Sequence, residues 1–251
     1  MEEVPKESPE ATPKEKKQKD WLLPASIVVA ALLVSVSLIY NAGKKPDTAV
    51  NQANLGAAAN APSVTNVPPV TSADHIEGNP NAPVKIIEYS DLECPSCKEF
   101  HATLNAVLSV YGDQVALVYR HFPLAQLHSK APAEAQAAEC AYKQGGNTAF
   151  FNFINQVFTV TPSNNGLDPT ELPKIAGQIG LDVSQFTACQ ASDYGKALIQ
   201  KEYNDAINAG GQGTPYSIVV NSAGQKYPID GALPIANVES IINQALKGAN
   251  S

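Results

Sequence analysis

Two cysteines separated by two residues, Cys94-Pro95-Ser96-Cys97, are the part of this sequence best able to do chemistry. On a first helical turn, sulfurs at that spacing can close a short disulfide and reopen it. The free N–H groups and dipole of a helix start favour the thiolate of the first cysteine, so Cys94 is expected to be exposed and reactive near neutral pH. Other uses of the pair need residues in other places. Zinc needs about four ligands. There is no second CxxC, and His101 supplies only a third ligand. Haem attachment needs histidine directly after the second cysteine, where Lys98 stands. An inert structural disulfide is the remaining alternative, since oxidising compartments permit one.

Three further features surround the pair. Glu88 lies six residues before Cys94, on the strand face shared with Val84 and Ile86. A carboxyl buried there has its pKa raised and can relay a proton to or from Cys97; the alternative is a strand-end glutamate turned to water. Gly213-Thr214-Pro215 places a proline where a strand or tight turn begins. A plain turn is the default, but beside the CxxC the Thr214 backbone can pair with an extended substrate. Cys140 and Cys189 either form a second disulfide or pack as two small buried thiols. His121 and His128 are read as packing or surface residues, with tuning of the site as the alternative.

The elements that must position these groups follow from periodicity. Val84–Ser90 (VKIIEYS) is apolar on both faces except at Glu88, as in an interior strand. Pro95 suits a first helical position. The stripe Phe100, Leu104, Val107, Leu108 and Tyr111 continues that helix to Gly112. Val115–Tyr119 is a second buried strand, completing a βαβ unit. A helical insert, about 125–210, comes next. It has helices over Ala133–Tyr142, Phe150–Phe158, Glu171–Ile179, Val183–Ala188 and Tyr194–Ala209, with a looser stretch at Gly145–Asn147. Strands Tyr216–Val220 and Lys226–Ile229 form a hairpin, and a helix over Ala236–Leu246 ends at Gly248. This order implies an α/β sandwich with a mixed sheet.

With these pieces in order, the chain resembles the DsbA-like thioredoxin family, often found as anchored bacterial disulfide oxidoreductases. The resemblance rests on VKIIEYSDLECPSCKEF, VYRHFPL with His128, AAEC, FTAC and GTPYSIVVN with the closing helix, over about 82–246. It implies a thioredoxin-like fold with an inserted helical domain, and no cofactor. It makes Cys94 the nucleophile, Cys97 its buried partner and Glu88 the buried acid. Thr214 and Pro215 match the residue before the family's cis proline and that proline itself. The family also implies a quinone-linked membrane thiol oxidase as recharging partner. The dipeptide is Pro-Ser, whereas strong oxidants of the family have Pro-His, so one stabiliser of the Cys94 thiolate is missing.

The N-terminal part carries no chemistry. The chain has 251 residues and a formal charge of −7. Residues 1–20 cannot build a core and are expected to be a disordered cytoplasmic tail. Residues 21–40 (WLLPASIVVAALLVSVSLIY) are uncharged and long enough for a transmembrane helix, bracketed by Trp21 and Tyr40. A cleaved signal peptide is the alternative, but the apolar run is longer than the usual signal core and no A-x-A site directly follows it. Lys14, Lys16, Lys17 and Lys19 before the span outnumber Lys44 and Lys45 after it, which favours an N-terminus on the cytoplasmic side of the cytoplasmic membrane. Residues 41–72 read as a flexible tether and 73–251 as the exported domain, periplasmic or extracellular. Its 17 acidic against 10 basic residues give no reason to expect nucleic-acid binding. The expected function is disulfide donation to reduced exported proteins. Reduction or isomerisation of disulfides is the rival in the same fold, and a chaperone-like binding module with CPSC as a staple is the rival of another class.

Overall fold

A computed structural model describes residues 66–249. The expected cytoplasmic tail, the transmembrane span at 21–40 and most of the tether lie outside these residues. Among the described residues no helix is long and apolar enough to cross a membrane.

Five strands form one mixed sheet in the order β1-β3-β2-β4-β5. They are β1 (His75–Glu77), β2 (Val84–Ser90), β3 (Val115–His121), β4 (Tyr216–Asn221) and β5 (Lys226–Asp230). The central pair, β2 and β3, is parallel, with Glu88 opposite Tyr119. Their crossover is helix α1 (Pro95–Tyr111), closed by Gly112 at φ 53 with its N–H on the Leu108 carbonyl. β4 is antiparallel to β2 and puts Tyr216 opposite Tyr89, so the turn before β4 arrives at the end of the sheet where α1 begins.

Alternation along β2 sends its side chains to two cores. Val84 and Ile86 pack with Phe100, Leu104 and Val107 of α1, while Ile87 and Tyr89 pack on the opposite face with Val118, Phe122 and Ile218. The apolar stripe of α1 thus becomes its buried face, each large side chain contributing about 1.5–3 kcal/mol. The closing helix α6 (Ile235–Ala249) joins the first core through Val238, Ile242 and Ala245.

Between β3 and β4 the chain is helical, as its periodicity predicts: α2 (Ala131–Val160), α3 (Glu171–Gln178), α4 (Val183–Gln190) and α5 (Lys196–Asn208). The two helices expected within 133–158 are one long element broken at Gly145 (φ −138) and Gly146 (φ 62), the glycines of the looser stretch. α2 to α4 pack into the α1 core, with Phe153 and Phe186 rings 5.5 Å apart. Cys140 in α2 is bonded to Cys189 in α4 across 49 residues. α5 instead covers the other face of the sheet through Ala206, next to Ala209.

Three expectations are corrected. The three-residue strand β1 has no readable alternation and is made by pairing with β3 alone. Gly248 lies inside the last turn of α6 rather than ending it. The stretch 66–72, counted with the flexible tether, is packed on the domain. Val67 is buried, and the Arg120 guanidinium donates to the Pro68 and Pro69 carbonyls at 3.2 and 3.3 Å. The same guanidinium pairs with Asp74 at 2.8 Å, and these buried acceptors draw the preceding chain inward.

Candidate active site

Cys94 is the N-cap of α1, with extended backbone (φ −79, ψ 122), and Pro95 fills the first helical position. Both cysteines are free thiols here. The first-turn N–H groups have no helical acceptors of their own, so they face the sulfur. The Cys97 thiol donates to Cys94 and is the largest influence on it. Against the cost of burial, Thr214 and the backbone N–H groups of Cys97 and Ser96 add to that stabilisation. Together they bring the Cys94 pKa from 9.0 down to about 6. Cys94 is less open than the sequence suggested: only 7% of the residue is exposed, because Thr214 covers it, with its carbonyl 3.4 Å from Sγ.

Cys97 moves the other way. It is 0% exposed and points into the core between α1 and the sheet. Burial raises its pKa well above 9.0, and the hydrogen bond to Cys94 and the charges of Cys94 and Glu88 raise it further. Its sulfur accepts from the Asp91 N–H at 3.5 Å. Two cysteines of one motif are thus split into a thiol that ionises readily under Thr214 and one that burial keeps protonated.

Glu88 is fully buried in the middle of β2 and is not turned to water. Burial lifts its pKa to about 7, only partly offset by the Ser90 hydroxyl, which donates to Oε1 at 2.9 Å. The other oxygen, Oε2, has no hydrogen-bond partner among the described residues. The Ser90 hydroxyl also acts on Cys97, so it stands between the buried acid and the buried sulfur. The Thr214–Pro215 bond is cis, and Pro215 directly precedes β4. The structure thus brings Cys94, Cys97, Glu88 and Thr214-Pro215 to one end of the central strands. Cys140 and Cys189 lie apart in the insert.

Several buried polar groups were not anticipated. Asp91 accepts from Glu93 N (2.8 Å) and Leu124 N (2.8 Å) and contacts His128 Nδ1 (2.9 Å). Glu93, directly before Cys94, is fully buried. Their signal was an acidic residue on either side of Leu92 in a segment otherwise bound for the core. His121 is buried with His75 around Glu139, Nε2 of each lying 3.0 and 2.6 Å from the same oxygen. Burial opposes the ionisation of Glu139, but these histidines outweigh it and bring its pKa to about 2. The trio has metal-ligand chemistry and spacing. However, a metal-bound imidazole donates its other N–H to a partner, and Nδ1 of His75 has none among the described residues, its ring stacked on Phe150. His101, the third zinc ligand weighed above, faces Asn155 instead.

A family model described as Thioredoxin matches residues 70–244. The chain belongs to the thioredoxin family. Within it, the fold is DsbA-like. It is similar to Pseudomonas aeruginosa DsbA2, with 28% identity and a TM-score of 0.59 over 70% of this chain and 96% of that one. It also shares the fold of oxidised BdbD from Bacillus subtilis, with 19% identity and a TM-score of 0.61 over 69% and 93%. Among curated proteins it is 31% identical, over 66% of its length, to Na(+)/H(+) antiporter NhaA 1 of Mycolicibacterium gilvum. The match covers 26% of that protein, so the chain spans about a quarter of its length. Family, fold and paired sulfurs together are those of a thiol–disulfide oxidoreductase.

Proposed function

We propose that this thioredoxin-family protein donates disulfides to exported proteins through a Cys94/Cys97 dithiol–disulfide cycle. The supporting observation is the opposite displacement of the two thiols, Cys94 down to about 6 and Cys97 well above 9.0. In the oxidised protein a client thiolate attacks Cys94 Sγ, the bond to Cys97 breaks, and a mixed disulfide forms. Cys97 leaves as a thiolate and takes a proton from Glu88, which burial keeps protonated to about pH 7, by way of Ser90. A second client thiolate then attacks the client's sulfur and expels Cys94. The client loses two electrons and gains a disulfide, and the protein is left as a dithiol. Thr214 lies beside Cys94, where its backbone can pair with an extended client segment.

On this reading the apolar span 21–40 is a single-pass anchor with the N-terminus inside, and it keeps the domain near emerging chains and near a quinone-linked thiol oxidase that reoxidises the pair. The decisive experiment is Cys97→Ser in the full-length protein. Exported clients should accumulate as mixed disulfides on Cys94, visible on non-reducing gels and absent when Cys94 is also replaced. No adducts would reject the cycle. Protease added to cells stripped of wall and any outer membrane should remove the domain and spare the N-terminal tail; a domain that stays protected would reject the topology.

A further inference from the structure

The residues on either side of the redox motif are both tied to a single stretch of the insert, Thr161–Leu167. On the N-terminal side, the Glu93 carbonyl accepts from Asn164 N at 2.8 Å. The Glu93 carboxylate accepts from Asn165 N (2.6 Å) and Gly166 N (3.3 Å) on Oε2, and from Leu167 N (3.3 Å) on Oε1. On the C-terminal side, Lys98 Nζ donates to the Thr161 carbonyl at 2.7 Å.

The loop is shaped for this contact. Ser163, Asn164 and Asn165 have φ of 64°, 52° and 65°, three successive non-glycine residues in the left-handed region. Such a run is unfavourable alone and persists only where its surroundings hold it. Successive N–H groups then converge on one anion, which here is a side chain of the redox segment itself. Burial, a hydrogen bond with Glu93 and the neighbouring charges of Glu93 and Asp91 keep the Glu134 carboxyl protonated to about 9, with Lys130 opposing them. Lys130 Nζ also donates to the Leu167 carbonyl at 2.6 Å. None of these groups is used by the exchange cycle.

We propose that Glu93 and Lys98 are positioning residues for disulfide exchange, and that the insert loop 161–167 clamps the CPSC turn through them. The inference rests on the redox reading of Cys94 and Cys97. A disulfide needs its sulfurs about 2.05 Å apart, whereas hydrogen-bonded thiols stand well beyond that, so the first turn must shift as the bond closes. A clamp on both flanks resists the shift. The clamp is formed here around the dithiol, so it weights the equilibrium toward the reduced protein and strengthens it as an oxidant. The insert thus tunes the motif from outside, through its neighbours.

The test is the equilibrium of the full chain with glutathione, read by thiol labelling, alongside the pH midpoint of Cys94 reactivity. Glu93→Gln removes the charge and leaves one acceptor oxygen where two took three N–H groups, and Lys98→Met removes the donor to Thr161. Each should move the equilibrium toward the protein disulfide by about fivefold or more, since a hydrogen bond to a charged group carries at least that factor. Lys98→Arg should return it to within about twofold of wild type, because the donor is restored. Charge alone predicts the opposite sign for Glu93→Gln, since removing a nearby anion favours the Cys94 thiolate. Variants that melt earlier but keep the wild-type equilibrium overturn the clamp, as does an equilibrium that moves only as far as the Cys94 midpoint. If Glu93→Gln does not fold, Lys98→Met against Lys98→Arg decides alone. A wild-type protein that fails to exchange with glutathione refutes the redox reading as well; normal wild-type exchange with unchanged variants refutes only the clamp.

Discussion

The sharpest consequence of the site is that Cys94 and an ordinary cysteine should change places in reactivity as the pH rises. With its pKa brought from 9.0 to about 6, Cys94 is ionised to about 90% at pH 7, against about 1% for a thiol left at 9.0. Intrinsic nucleophilicity falls with pKa at a Brønsted slope of about 0.4–0.5, so three units cost roughly 15- to 30-fold per thiolate. The two effects multiply to a rate about three- to sixfold above the ordinary thiol at pH 7. At pH 9.5, where both are largely ionised, Cys94 should be the slower by roughly tenfold or more, and the two profiles should cross between about pH 7 and 8. The assay is alkylation of the reduced protein from pH 4.5 to 9.5, with the modified cysteine located by mass. Cys97 should remain unmodified throughout, being buried and held protonated. The Cys94 rate should have its midpoint near 6 and be flat above about 7.5. A rate still climbing between pH 8 and 9.5, with no crossing, would refute the assignment of Thr214, Cys97 and the first-turn N–H groups as stabilisers of that thiolate.

Other outcomes follow from the same groups. A depressed thiol pKa stabilises the reduced fold fully above the unfolded value near 9 and not at all below the folded value. The melting temperature of the reduced protein relative to the oxidised one should therefore fall as pH drops from 9 through about 6; a constant difference would contradict the shift. Glu88 has the opposite sign: its raised pKa makes the fold lose stability as pH rises from about 4.5 to about 7. Glu88→Gln should thus stabilise the protein by on the order of 2–3 kcal/mol at pH 8 in denaturant unfolding, while slowing client oxidation. A Glu88→Gln protein no more stable than wild type at that pH would count against a buried, ionisable Glu88. Replacing Cys140 and Cys189 together by serine opens a loop of 49 residues. It should cost roughly 2–4 kcal/mol in the same assay and leave the glutathione equilibrium of Cys94/Cys97 unchanged; a shifted equilibrium would show the two disulfides to be coupled.

The parts of this molecule legible in its sequence are those written in local pattern. The stripe Phe100, Leu104, Val107 reads as a helix face because one side of α1 meets the core. Pro95 and Gly112 mark the ends of that helix by their own backbone limits, and VKIIEYS reads as an interior strand because both its faces are covered. Where pairing partners are distant, the pattern fails. β1 is three residues long and owes its form to β3 alone. Residues 66–72 look like tether because Pro68 and Pro69 offer only carbonyls, and nothing local says that Arg120 will collect them. The same holds in the site. CPSC announces its chemistry by spacing. Glu93, beside it, does not announce its partners, the N–H groups of Asn165, Gly166 and Leu167, over seventy residues away.

The opposed thiols also bear on the direction of electron flow. In a mixed disulfide between Cys94 and a client, two attacks compete. If Cys97 attacks Cys94, the client is expelled unchanged and the protein returns to its disulfide. If a second client thiol attacks the client's sulfur, Cys94 is expelled and the client leaves oxidised. The first path needs a Cys97 thiolate, which burial and the charge of Glu88 make scarce. The second needs a good leaving group, which the low pKa of Cys94 supplies. Both displacements therefore favour donation: the Cys97 hydrogen bond, the helix start and Thr214 act on Cys94, and burial beside Glu88 acts on Cys97. A Pro-Ser dipeptide can thus serve a disulfide donor without the histidine of the strong oxidants, provided that Cys97 stays protonated while the mixed disulfide lasts.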